Sequence, residues 1–216
     1  MLTFKSLWPK YLYFKLAQGF KAGGFNSESS MPLGTFNPYA PETIDSTEFG
    51  LKGKYFDNRM MLNVAYFDNE HEDMQVAYFT AEQAAASVVL NNSAEQSGFE
   101  LEMVALLNDT TQFSLNYGSL DSKYTESVIA PDGFAPELFP YAPETMIYAS
   151  LEKDFGNYRV RLDHSRVGEH NAFPYSSSDP RSALTHVEER NITDFRLMTS
   201  PMDNLDLTFW IKNLKI

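Results

Sequence analysis

The sequence contains no cysteine and has few basic residues. With no Cys among 216 residues, it can form neither disulfides nor a cysteine-ligated metal centre, and it has no thiol nucleophile. Lys and Arg number 17 against 29 Asp and Glu, which gives a formal charge of -12. Because a phosphate backbone is bound through basic side chains that release its counterions, we expect no nucleic-acid partner.

Long apolar runs are also missing. No stretch approaches the roughly 18 consecutive apolar residues of a membrane-spanning helix. Residues 1–14 lack the unbroken apolar segment of a signal peptide. These absences argue against a helical membrane protein. They leave open a membrane β-barrel, whose strands are only about ten residues long and half polar.

The sequence is rich in aromatic residues and in segments where apolar and polar residues alternate. It contains 17 Phe and 12 Tyr, and both residue types favour strands. Nine segments alternate between apolar and polar residues, which predicts nine β-strands. These segments are residues 11–20, 46–56, 59–69, 98–106, 112–120, 146–155, 158–165, 192–199 and 205–212.

The connections between these segments alternate between very short and very long. The short ones are tight polar turns at residues 57–58, 108–110, 156–157 and 203–204. The long ones have about twenty residues each and cover residues 24–45, 73–94, 126–144 and 169–190. Short turns on one side and long loops on the other are typical of outer-membrane barrels. The sequence therefore predicts an all-β fold, an antiparallel transmembrane β-barrel wall of about nine strands, which the family resemblance described below implies is incomplete.

One hexapeptide occurs twice. Pro38-Tyr39-Ala40-Pro41-Glu42-Thr43 recurs as Pro140-Tyr141-Ala142-Pro143-Glu144-Thr145, each time between a long loop and a predicted strand. Proline cannot donate a hydrogen bond to a β-ladder, so paired prolines end irregular structure. We interpret the repeat as a device for entering a strand.

Five segments together resemble the C-terminal part of the β-barrel of TonB-dependent outer-membrane receptors. They follow the family's order and have its alternation of short and long spacings. They read QGFKAGGFN at 18–26, PET with EFGLK over 41–52, DNR with LNVAYF over 57–67, SGFELE at 97–102 and FWIKNL at 209–214. The resemblance covers nearly the whole chain.

This resemblance implies a function for the full-length receptor. Such a receptor sits in the bacterial outer membrane, is surrounded by its lipid, and takes up a large scarce nutrient, most often a ferric siderophore, with energy relayed through TonB. It is not an enzyme, and neither a cofactor nor a metal is expected in this chain. Residues 1–216 would form a partial barrel domain without the plug domain or the last strand, and residues 1–9 are a candidate non-native start.

Two sets of side chains are candidate site residues. Aromatic residues on long loops bury a large area at little entropic cost, so they are plausible ligand contacts. The candidates on extracellular loops are Phe36, Tyr39, Phe134, Phe139, Tyr141, Phe173, Tyr175 and Arg181. The residues expected to face the lumen are Lys52, Lys54, Glu100, Glu102, Asn116, Arg159 and Arg161.

Other readings of the same pattern stay open. One is a passive porin-like channel of the outer membrane. Another is a soluble β-sandwich that binds carbohydrate, or a glycosidase whose carboxylates are Glu100 and Glu102, about 7 Å apart by strand rise. The acidic cluster Glu70-His71-Glu72-Asp73 could hold a cation. We expect a solvated rim there instead, since neighbouring strand residues point to opposite faces.

Overall fold

The computed structural model of the chain describes residues 2–5, 10–26, 38–79, 87–129, 135–175 and 179–214. One helical turn, α1 (Ser182–Thr185), is the only helix in these ranges, and no helix there is long and apolar enough to cross a membrane. In chain order the strands are β1 (Leu2–Lys5), β2 (Lys10–Lys21), β3 (Gly24–Phe25), β4 (Pro38–Tyr39), β5 (Glu42–Tyr55), β6 (Met60–Phe79), β7 (Ser87–Asn108), β8 (Thr111–Glu126), β9 (Thr145–Asp154), β10 (Tyr158–Val167), β11 (His170–Asn171), β12 (His186–Val187), β13 (Arg190–Met202) and β14 (Leu205–Ile211).

Ten of these strands form a single sheet in the order β1-β2-β5-β6-β7-β8-β9-β10-β13-β14. Every neighbouring pair is antiparallel. The pairs β3–β4 and β11–β12 form two small separate ladders. Nine long strands lie where the alternation predicts them, and β1 adds a tenth strand from within residues 1–9. The prediction of an incomplete antiparallel barrel wall is confirmed, because β1 and β14 remain as open edges.

Tight turns join the strands at one end of the sheet, as predicted. Between β5 and β6, Phe56, Asp57 and Asn58 have φ angles of 52, 53 and 66°. Asp and Asn tolerate this left-handed region better than most residues. In the turn between β9 and β10, Gly156 has a φ of 87°, and the side chain of Asp154 accepts a hydrogen bond from its N–H at 2.7 Å.

β6 and β7 run well beyond their predicted ends. The prediction of a loop over residues 73–94 is wrong, because β6 continues to Phe79 and β7 already begins at Ser87. The register shifts between His71 and Met74, where Asp73 has a φ of 54°. An extra residue of this kind is a β-bulge, which breaks the alternation by one position. We call residues 74–79 and 87–92, beyond the bulge, the arm.

The strand register separates a polar face of the sheet from an apolar face, because residues paired across antiparallel strands point to the same side. One row across five strands is Lys52, Asn63, Glu102, Asn116 and Tyr148. The adjacent row, on the other face, is Leu12, Leu51, Val64, Leu101, Tyr117 and Ile147. The wall therefore has one side suited to water and one suited to lipid.

Aromatic rings lie against glycines on the polar face. Tyr13 pairs with Gly50, and a Cβ at Gly50 would come within 2.3 Å of the Tyr13 ring. Phe67 pairs with Gly98, where a Cβ would come within 2.6 Å of the Phe67 ring. Glycine is required at both positions because of this close approach.

Few side chains are buried, because most of the wall is one layer thick. Phe49 on the apolar face is 53% exposed, and no second sheet packs against either face in the described ranges. The β-sandwich reading is therefore wrong. The buried apolar residues are Tyr13, Val76, Val88, Ala94 and Tyr175. Three of them, Val76, Val88 and Tyr175, lie in the arm or in the loop that follows β11, so the packed core sits at the long-loop end.

Candidate functional site

The described loops at the long-loop end are joined by main-chain hydrogen bonds. Tyr141 N–H donates to the carbonyl of Asn171 at 2.7 Å, and Glu137 N–H donates to that of Pro174 at 3.2 Å. Pro140 and Asn171 also form a parallel β-bridge. We call the described parts of residues 135–144 and 168–189 the loop layer. Two long loops thus form one body.

Aromatic residues pack the loop layer against the arm. Tyr175 is 7% exposed and forms a cluster with Val88, Leu90 and Phe173. The rings of Phe173 and Tyr175 stack with centroids 5.8 Å apart. The Arg181 guanidinium lies 4.3 Å from the centre of the Tyr175 ring, a favourable cation–π contact. Three of the candidate contact residues therefore hold the loop layer in place in this conformation.

Arg181 also fixes its own loop through Asp179. Its side chain donates to both carboxylate oxygens of Asp179, the shortest contact being 2.7 Å. The Asp179 carboxylate in turn accepts a hydrogen bond from the Arg181 backbone at 2.8 Å. These hydrogen bonds lower the pKa of Asp179 below its ordinary value. Both side chains are therefore ionised and paired at neutral pH.

Side-chain amides connect the arm to the segment between β2 and β5. Asn91 accepts from the N–H of Ala40 at 2.7 Å and donates to its carbonyl at 3.1 Å. Gln75 donates to the carbonyls of Ala22 and Ala40 at 2.9 and 3.1 Å. Asn26 makes a matching pair with the main chain of Val89, at 2.7 and 3.0 Å. These side-chain amides pair with main-chain N–H and C=O groups as a neighbouring strand would. The arm is therefore held by the segment between β2 and β5 on one side and by the loop layer on the other.

The remaining candidate contacts differ in exposure. Tyr141 is 71% exposed, and its ring centroid lies 6.4 Å from that of His170. The ring of Phe139 stacks on that of Tyr124, with the centroids 4.4 Å apart. Tyr39 lies against Gly24, where a Cβ would come within 2.4 Å of its hydroxyl. The candidates Phe36 and Phe134 lie outside the described residues.

A cleft of about 520 Å³ opens between the loop layer and β8, and the ring of Tyr141 lies beside its lining residue His170. Its lining includes Phe139, Glu144, Glu169, His170 and His186. His186 Nε2 lies 3.7 Å from a carboxylate oxygen of Glu169. No group of three or more metal-ligating side chains occurs in the described part of the chain. The cleft offers aromatic and hydrogen-bonding groups to a ligand.

The seven residues expected in the lumen all lie on the polar face. Lys52, Glu102 and Asn116 share one row of the register. The other four lie an even number of positions from a polar-face residue of their own strand, so their side chains point to the same side. A concavity of about 570 Å³ has a mixed lining, whose polar residues include Tyr13, Glu48, Lys52, Glu100, Glu102 and Asn116. Their contact with a lumen stays a prediction.

The polar face also carries a hydrogen-bonded group around Tyr148, which the sequence analysis did not single out. Its hydroxyl donates to Asp163 at 2.6 Å and accepts from Arg161 at 2.8 Å. Arg161 also contacts Glu152 at 3.7 Å, and Arg159 contacts the same carboxylate at 3.4 Å. The sequence does indicate this position, because Tyr148 lies two and four residues before Ser150 and Glu152 in β9, and residues at this spacing share one face of a strand.

Glu100 and Glu102 lie on the polar face with different neighbours. Asn63 donates to the Glu102 carboxylate at 2.7 Å. Glu100 pairs in register with Ala65 and Gly118, which offer it no polar group. The geometry is that of polar side chains on an open face.

A sequence profile described as "TonB dependent receptor-like, beta-barrel" matches residues 7–214. The chain belongs to this family of outer-membrane proteins of Gram-negative bacteria. Its fold agrees with that assignment, because the sheet is an antiparallel wall with an apolar face, short turns and long loops.

Solved structures share this fold at low sequence identity. The ferric yersiniabactin uptake receptor FyuA from Yersinia pestis is 19% identical, with a TM-score of 0.71 over 95% of this chain and 30% of that one. The ferric-catecholate import receptor Fiu from E. coli K12 is 17% identical, with a TM-score of 0.69 over 95% of this chain and 29% of that one. The copper transporter OprC is 15% identical, with a TM-score of 0.71 over 97% of this chain and 32% of that one. The chain spans less than a third of the length of each.

Proposed function

We propose that this chain is part of the barrel wall of a receptor that imports a ferric siderophore across the outer membrane with energy from TonB. The observation that carries the proposal is the long-loop end, where the loop layer and the arm form one packed body beside a cleft, and where Tyr141, next to the lining residue His170, is exposed. Such a surface suits a ligand larger than a simple ion. The names of two similar proteins, a ferric yersiniabactin receptor and a ferric-catecholate receptor, support the same substrate class.

In this proposal the polar face lines the lumen. Lys52, Lys54, Glu100, Glu102, Asn116, Arg159 and Arg161 then border the path of the ligand, and the apolar face contacts lipid. TonB and the siderophore are partners of the whole receptor.

Tyr39, Phe139 and Tyr141 are the proposed ligand contacts among the described candidates, together with Phe36 and Phe134. Phe173, Tyr175 and Arg181 have a different position, because they are engaged with the arm. They contact a ligand only when the loop layer separates from the arm.

The test is uptake of iron-55 supplied as a set of ferric siderophores to iron-starved cells of the source bacterium. Deleting the gene should abolish uptake of at least one siderophore, and removing TonB from the intact strain should do the same. Uptake that persists without TonB would instead support a passive porin-like channel. Unchanged uptake of every ferric siderophore in the deletion strain would refute the proposed substrate class.

A further inference from the structure

We propose that the cleft between the loop layer and β8 selects ferric siderophores by charge. It accepts complexes without a net negative charge and disfavours anionic ones. This inference deepens the proposed function and rests on it, because it names the class of ferric complex that the receptor carries. The observations that support it are the charges on the walls of the cleft, their partners and their exposure.

Negative side chains outnumber positive ones on the walls of this cleft. Its volume of about 520 Å³ is in the range of pockets that hold small-molecule ligands. Arg166 is the one Lys or Arg among its lining residues in the described part of the chain. The carboxylates that line it are Asp121, Glu144, Glu169 and Glu189. Because side chains of these types are charged at neutral pH, the walls carry an excess of negative charge.

The positive charge of Arg166 is already paired. Its Nε donates to Oε2 of Glu189 at 2.9 Å, and its Nη2 donates to the same oxygen. The lysine of β8, Lys123, contacts the carboxylate of Glu95 at 2.9 Å and is engaged there. The lining carboxylates that have no Lys or Arg partner within the described ranges are Asp121, Glu144 and Glu169.

These three carboxylates are accessible to a ligand. Asp121 on β8 and Glu144 just before β9 are both exposed. The side chain of Glu169 is 75% exposed, and one of its oxygens lies 3.7 Å from Nε2 of His186. A ligand in the cleft therefore comes close to carboxylate oxygens that can accept hydrogen bonds from it.

Ferric siderophores differ in charge because of the groups that hold the iron. Three catecholates lose two protons each and leave the iron(III) complex with a triple negative charge. Three hydroxamates lose one proton each and leave it neutral, and a protonated amine elsewhere on the ligand makes it cationic. Unpaired carboxylates repel the anionic complex over about one Debye length, about 8 Å at physiological ionic strength. They accept hydrogen bonds from the N–H groups of the other two, so the cleft favours ferric hydroxamates.

The test measures uptake of iron-55 from three ferric complexes, namely an anionic tris-catecholate, a neutral tris-hydroxamate and a cationic tris-hydroxamate. The full-length receptor is made in iron-starved cells of the source bacterium, and uptake in the deletion strain is subtracted. Receptor-dependent uptake should occur with the two hydroxamate complexes. The unlabelled tris-catecholate complex should compete with them at least about tenfold less well than unlabelled hydroxamate complex does.

The variant Glu169→Lys reverses one charge in the cleft. It should raise the half-saturating concentration of the cationic complex about threefold and leave that of the neutral complex within about twofold. The tris-catecholate complex should then compete at about tenfold lower concentration. Glu169→Gln removes the charge without adding a cation, so it should shift the same values in the same direction by less.

Asp203→Lys is the matched control. It makes the same charge change in the turn between β13 and β14, at the short-turn end of the wall, where screening separates it from the cleft. It should change none of the three values. The amount of each variant in the outer membrane is measured in parallel, so that a loss of receptor is not mistaken for a change in selectivity.

Two results would overturn this inference and leave the proposed function intact. One is receptor-dependent uptake of the tris-catecholate complex at a half-saturating concentration equal to or below that of the neutral complex. The other is a response to Glu169→Lys that matches the response to Asp203→Lys, or that is the same for all three complexes. Receptor-dependent uptake of no ferric siderophore would refute the proposed function, and this inference with it.

Discussion

Tyr141 and Tyr175 are loop tyrosines of similar sequence context that have different positions in the structure. Tyr141 is exposed beside the cleft, whereas Tyr175 is buried against Val88 with Arg181 over its ring. An aromatic ring on a long loop can thus either meet a ligand or hold loops together. The two tyrosines differ because the loops around them pack differently. The residue type alone does not decide the role of the ring.

Replacing these two tyrosines with alanine should separate the two roles. Tyr175→Ala removes a buried ring, at a cost of about 3 kcal/mol, and should loosen the loop layer from the arm. The reactivity of a Val88→Cys thiol in the outer membrane should then rise about tenfold or more. Tyr141→Ala, the matched control, should leave that reactivity unchanged. Equal effects from both variants would contradict the distinction.

At the scale of elements, the sequence predicts the strands of the wall far better than it predicts the arm and the loop layer. The nine long strands alternate over the part of the wall that has one apolar and one polar face, so their period of two is strict there. The bulge at Asp73 shifts that alternation, and residues 74–92 then resemble a loop in composition. The arm became visible only in the structure because its polar side chains, such as Asn91 and Gln75, bind the main chain of a distant segment instead of water.

The same limit applies to the candidate site. Strand parity is local information, so it assigned Lys52, Glu102 and Arg161 to one face. It could not show that Tyr175 is buried, since Val88 is far away in the chain. Contacts of this kind depend on how loops from different hairpins meet.

The arm should depend on Asn91 in particular. In Asn91→Ala, the N–H of Ala40 loses its acceptor and the carbonyl of Asp73 loses a donor that lies at 2.6 Å. The Ala40 N–H is partly buried, and leaving such a group unsatisfied costs about 1–3 kcal/mol. Hydrogen exchange of peptides covering 38–42 and 73–79 should therefore accelerate, while peptides covering 146–154 stay protected.

Asn191→Ala is the control for that experiment. Asn191 donates to the exposed Glu189 at 2.7 Å, away from the arm, so its loss should leave exchange in the arm unchanged. Protection of residues 38–42 and 73–79 that is the same in Asn91→Ala and in the parent would mean that the arm is held by its other contacts.

The described part of the chain is a wall one sheet thick, with one polar face and one apolar face. This arrangement explains how a chain with a formal charge of -12 fits a membrane, since its charged strand residues gather on one face or beyond the apolar band. Because the sheet is one layer thick, its stability depends on what lies against each face.

A charge on each face provides the test of this sidedness. Leu101→Arg places a cation in the apolar row, where it should cost about 2–4 kcal/mol near the middle of the bilayer. Asn116→Arg places the same cation in the neighbouring polar row and should be tolerated. The amount of each variant in purified outer membranes is the measurement. Similar losses for both would show that the two faces are not distinguished by the membrane.

The contact between Tyr13 and Gly50 has a consequence for how related sequences can diverge. A side chain at Gly50 collides with the ring of Tyr13, so neither position can change freely while the other is kept. Across the family, a larger residue at the position of Gly50 is expected to occur together with a smaller one at the position of Tyr13. The two positions, 37 residues apart in the sequence and paired in the sheet, should therefore evolve as a unit.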